Sequence, residues 1–140
     1  MLFQLPPFLQ NDTPLLKDFL ATIPVGIQST FEFRHDSWFN DETYAALKAA
    51  KAALCIADTE ELTTPVEATA DFGYSRLRNT GYKKADIARW AKVIGEHQTK
   101  WNDTYVYFKH EETGTGPKFA RQLLDELGIG PASGELIQPD

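Results

Sequence analysis

The sequence predicts an α/β fold built on a parallel sheet, and three observations carry that prediction. Five short runs rich in β-branched and aromatic residues recur along the chain, each bounded by turn or cap residues. The stretches between them have helical rather than alternating periodicity, and one strand-and-helix unit repeats at roughly 20 to 35 residues. Parallel neighbours must be joined by crossovers of about a dozen residues or more, so alternation at this spacing is the pattern of βαβ units.

The first strand is expected at residues 1–5, and the helix after it is marked by Asp12 and Thr13 as N-caps and Pro14 at the first helical position, ahead of Leu15, Leu16, Phe19 and Leu20. A second strand at 30–35 leads to a helix from Asp41 to about Ala50. The third strand, 53–58, is an apolar run closed by Asp58, and residues 59–70 are too rich in Thr, Glu and Pro to assign. A fourth strand at 72–77 precedes a helix from Lys84 to about Glu96 with Ile87, Trp90, Ala91 and Ile94 on one face. The fifth, 104–109, precedes a helix from Pro117 to Leu127 that Gly128 terminates. Residues 1–129 are thus expected as one domain, and 130–140, with Pro131, Ser133, Gly134 and Pro139, as a flexible C-terminal tail.

Charge narrows the function. Among 140 residues, 20 acidic against 14 basic give a net charge of −6, which opposes a whole-surface grip on nucleic acid or anionic membrane, so any anion site must be local. Nucleic acid stays as a weak alternative partner. The single Cys55 forms no internal disulfide, MLFQLPPFL has no basic segment followed by a long apolar one, and the apolar stretches are too short to span a bilayer. The expectation is a cytoplasmic protein with no membrane attachment.

The runs LFQLPP (2–7), FEFRHDSWF (31–39), ALCIAD (53–58), YSRLR (74–78), ARWA (88–91) and YVYFKHEETGTGP (105–117) together resemble the YecE-like family, known as domain of unknown function 72. The resemblance covers nearly everything before the tail, in order. It implies a TIM-type (β/α) barrel of roughly twice this length, with LFQLPP at about its fourth strand. On that reading the chain is a partial TIM-type barrel, about five parallel strands with covering helices that match strands four to eight. The absence of the first three units would reflect a truncation, a split gene or an incomplete chain. Many members carry His-Gly where this chain has Arg78 and Asn79, so no role of that histidine carries over. Open edges at the first and last strands would leave backbone groups unpaired, so self-association or a complementary N-terminal half is expected, or else marginal stability.

Strand alternation sorts the polar residues. Glu32 and Arg34 are expected to face the barrel axis with Tyr74, Arg76, Arg78, Tyr105, Tyr107 and Lys109, while Phe31, Phe33, Leu77, Val106 and Phe108 face the helices. Gln4 and Asp58 complete the inward set near the C-terminal strand ends, where barrels keep their active sites. The functional reading is a small anionic or phosphorylated ligand held by Gln4, Arg34, Trp38, Arg76, Arg78, Tyr107 and Lys109, with Glu32 or Asp58 as acid or base. The competing reading is a network of ion pairs plugging the barrel. Gly114, Thr115 and Gly116 are a further candidate, as backbone phosphate donors at a helix N-terminus, although glycine there serves a tight turn equally well.

No metal site is assigned, and the sequence leaves the cofactor open. His35, Asp36, His110 and Glu111 lie at strand ends without tight ligand spacing, and both histidines continue the outward register. Asp36 and Ser37 are read as turn caps, and Trp38 as either a stacking surface or cover for the core. The function expected is an enzyme, or part of one, acting on a small anionic substrate. The alternatives are a non-catalytic module binding nucleic acid or a phosphorylated metabolite, and an inactive truncated fragment.

Overall fold

Alternation of strand and helix produces one five-stranded sheet in the order β1-β2-β3-β4-β5. The computed structural model describes residues 1–109 and 114–128; the expected tail lies outside them. The strands are β1 (Leu2–Gln4), β2 (Thr30–Glu32), β3 (Ala53–Asp58), β4 (Phe72–Leu77) and β5 (Asp103–Phe108), and every neighbouring pair is parallel. The helices are α1 (Thr13–Thr22), α2 (Asp41–Ala49), α3 (Lys84–Glu96) and α4 (Gly116–Glu126), with a 3-10 turn at Asp36–Trp38. No helix among the described residues is long and apolar enough to cross a membrane.

Local chemistry sets the boundaries. Asp12 Oδ1 accepts from the Leu15 N–H at 3.1 Å and Asn40 Oδ1 from Thr43 N–H at 2.9 Å, each satisfying a donor that a helix start leaves free. The first two strands are shorter than expected. Pro6 and Pro7 have no N–H to extend β1, and beyond Glu32 the chain turns into the 3-10 segment, with His35 Nδ1 accepting from the Ser37 N–H at 3.2 Å.

Register fixes two faces. Phe31 pairs with Leu54, Ile56 with Ser75, and Ser75 with Val106, so these side chains share the helix-covered side. There one cluster gathers Leu16, Leu20, Phe31, Phe33, Trp38 and Leu47, and a second gathers Ile56, Leu77, Ile87, Trp90, Ile94 and Trp101. Each such large side chain contributes about 1.5–3 kcal/mol by leaving water. Gly73 is required by this packing: a Cβ there would lie 2.7 Å from the Trp101 ring.

Between β3 and β4 no helix forms. Residues 59–70 instead run as a strap over β3, held by two threonine hydroxyls. Thr69 Oγ1 accepts from Leu54 N–H at 2.9 Å and donates to the Ala52 carbonyl at 2.7 Å, and Thr64 Oγ1 accepts from Ala57 N–H at 3.2 Å. Ala53 N–H reaches Ser29 on the β2 side, so by alternation Ala57 N–H points the same way. The last β2–β3 pair is Phe31 with Leu54; Thr64 therefore occupies the gap where the two strands part.

Candidate functional site

At the end of β2 the Glu32 carboxylate, 1% exposed, is the hub of the inner face. Arg76 Nη1 donates to Oε1 at 2.5 Å, Arg78 Nη2 to Oε2 at 3.3 Å, and Gln4 Nε2 to Oε2 at 3.3 Å. Glu32 and Arg76 stand on strands separated by β3, about 10 Å apart at the usual spacing. They meet because β3 offers only the small side chains of Ala53, Cys55 and Ala57 on that side, and a long guanidinium side chain passes over them. Burial, reinforced by the Glu32 charge, pushes the Cys55 thiol well above its ordinary range, so it stays protonated. Two guanidiniums on one carboxylate leave the hub with a formal charge of +1.

Above the hub a cavity of about 660 Å³ opens at the C-terminal strand ends, lined by Arg34, Arg78 and Lys109 as well as Glu60, Glu61 and Thr80. Glu32, Phe33, His35 and Ala57 also reach it. Arg34 and Lys109 are exposed, and among the described residues neither has a carboxylate partner. Arg78 keeps a buried Nε with no acceptor among the described residues. The Thr80 hydroxyl donates to the Glu60 carboxylate, joining two loops of the rim.

The structure brings Glu32, Gln4, Arg76 and Arg78 together and places Arg34 and Lys109 on the cavity above them. Several expected placements need correction. Asp58 does not face inward: it pairs in register with Leu77, on the helix side, because Ala57 takes the inner position. Its buried carboxylate accepts from the Tyr82 hydroxyl at 2.7 Å and from Thr63 Oγ1 at 2.8 Å. Burial and this bond to Asp58 hold the Tyr82 hydroxyl protonated far beyond the usual tyrosine range. Trp38 does not line the cavity but fills the core, 2% exposed, stacked on Phe33 at 4.6 Å with Nε1 donating to the Leu9 carbonyl at 2.8 Å. His35 lines the cavity rather than continuing outward, because it caps the 3-10 turn at Asp36–Trp38 and the strand alternation stops there.

Tyr107 lies on the inner face of β5 against Tyr74 at 5.3 Å, away from the cavity. Gly114, Thr115 and Gly116 also lie away from it; Thr115 precedes the first turn of α4, and Gly114 adopts φ of +66° to form that turn. His110 and Glu111 fall outside the described residues. Among the described residues no three His, Cys, Asp or Glu gather as metal ligands. Glu60, Glu61 and Thr80 escaped the sequence reading, since they sit in stretches without periodicity; the one available signal was their position just beyond strand ends.

Comparison with known proteins agrees with this architecture. The family described as Protein of unknown function DUF72 matches residues 1–139. A DUF72 family protein from Thermotoga maritima MSB8 superposes with a TM-score of 0.76 at 21% identity, over 91% of this chain and 56% of that one. One from Enterococcus faecalis V583 gives 0.77 at 15% identity, over 93% and 58%, and another structure of that protein gives 0.76 at 15% identity, over 93% and 61%. The chain thus spans 56 to 61% of the length of these relatives. No curated protein matches. The chain belongs to the DUF72 family, whose function is unknown.

Proposed function

We propose that the cavity at the C-terminal strand ends binds a small anionic or phosphorylated molecule, contacted by Arg34 and Lys109 and by the donor that Arg78 has left over. The observation that carries this reading is a pair of cations that, among the described residues, have no carboxylate partner and stand on the wall of one cavity. Hydrogen bonds between charged groups contribute about 1.5–3 kcal/mol each, so three converging cations are enough for recognition. Glu32 fixes Arg76 and Arg78 in advance, so less rotamer freedom remains to be lost when ligand arrives.

Recognition fits better than acid–base catalysis by the two carboxylates first expected to serve it. Both oxygens of Glu32 are engaged by guanidinium groups, and Asp58 lies across the sheet. The net charge of −6 weighs against nucleic acid as the ligand. Calorimetric titration with inorganic phosphate, citrate and a set of phosphorylated metabolites tests the reading. Arg34→Ala and Lys109→Ala should each weaken binding about tenfold or more, roughly 1.4 kcal/mol, with unchanged melting temperature. Asp58→Asn should leave affinity alone. A double R34A/K109A variant that binds every anion as the wild type does, or a wild type that binds none, overturns the proposal.

A further inference from the structure

We infer that the ligand is dipolar, its anionic group meeting Arg34, Arg78 and Lys109 and an ammonium group on the same molecule meeting Glu60 and Glu61. This rests on the anion-binding reading above and adds a second pole to it. The cavity carries both signs of charge, yet among the described residues Arg34 and Lys109 form no ion pair with these two glutamates. A merely structural network would neutralise itself, as Glu32 does with Arg76 and Arg78 directly below. Unlike charges held apart around a concave space present a complementary field to a molecule whose own charges are separated.

Both glutamates are exposed, and Glu60 accepts from the Thr80 hydroxyl, but the backbone that carries them is held in place. They are the two central residues of a turn whose ends are tied three times: Thr59 N–H to the Leu62 carbonyl at 3.0 Å, Thr59 Oγ1 to the same carbonyl at 3.0 Å, and Leu62 N–H to Thr59 Oγ1 at 3.1 Å. Asp58 and Thr64, on either side of that turn, are themselves anchored, Asp58 by Tyr82 and Thr64 by Ala57. Two adjacent carboxylates reward a formal positive charge more than a neutral hydroxyl, and they repel a second anionic group. The ligand class is therefore an amine-bearing phosphate or carboxylate, and molecules anionic at both ends are disfavoured.

Matched probes test this by calorimetry: glucosamine 6-phosphate against glucose 6-phosphate, and phosphoethanolamine against ethyl phosphate. In at least one pair the amine-bearing member should bind about tenfold tighter, a difference of roughly 1.4 kcal/mol. In the Glu60→Gln/Glu61→Gln variant, whose melting is measured alongside, that ratio should fall below about threefold. Equal affinity within both pairs, or a ratio that survives the double substitution, overturns the inference while anion binding itself stands. Absence of binding by all four probes overturns both this inference and the reading beneath it.

Discussion

The two sides of the sheet are one residue apart along each strand and are held together by different forces. On the helix side Phe31, Ile56 and Leu77 are buried among apolar neighbours, each stabilised by its own removal from water. On the inner side Glu32 is buried as deeply, at 0% exposure, but among charges that are tolerable only together. The apolar side degrades gradually under substitution; the charged side depends on every member. The comparison teaches that the inner face is arranged to hold groups in place, at a desolvation cost that a purely apolar lining would avoid.

The largest test of that contrast is Glu32→Ala. Stranding Arg76 and Arg78 should cost about 3–5 kcal/mol in urea denaturation, toward the lower end because both arginines keep some contact with water. Replacing all three with Met or Leu should recover most of that loss and abolish anion binding. A Glu32→Ala variant within about 0.5 kcal/mol of wild type would erase the distinction between the faces.

A smaller effect sharpens it. Thr69→Val keeps shape but removes the hydroxyl serving Leu54 N–H and the Ala52 carbonyl, and should cost about 1–3 kcal/mol, measured by the same denaturation. No loss would mean that other groups satisfy β3 as well as the hydroxyl does.

The smallest effect is pH dependence. Burial raises the Cys55 thiol above its ordinary value of 9.0, and burial with the Asp58 bond raises the Tyr82 hydroxyl above 10.0. Both contributions are complete below those values. As pH climbs past 9 and then 10, the unfolded chain releases protons that the folded chain retains, so stability should fall across that window. Denaturation between about pH 8 and 11 should show a shallower decline in Tyr82→Phe and in Cys55→Ala. Identical slopes in all three proteins would contradict the assignment.

Much of this was legible in the chain. The bounds of β3, β4 and α3 agree with the sequence reading, because short apolar or aromatic runs and a 3.6-residue stripe report local structure directly. The alternation in FEFRH and YSRLR likewise brought Glu32, Arg76 and Arg78 to one face. Asp58 was misread because ALCIAD is buried throughout, so hydrophobicity carries no information about which side its last residue takes. Trp38 presented the same ambiguity, resolved only by the ring of Phe33 beneath it. The strap was opaque for another reason: its threonines bond to strand groups 7 and 15 residues away, and nothing in local periodicity reports such partners.

That strap has a kinetic consequence. A wall fastened through hydroxyl oxygens opens by breaking a few polar bonds, whereas a packed helix must first expose an apolar stripe to water. The amides of Leu54 and Ala57 are accordingly the natural hydrogen-exchange reporters of its breathing. Because Glu60 and Glu61 ride on the same segment, each excursion also unseats one side of the cavity, and the admission of a guest would keep time with two threonines.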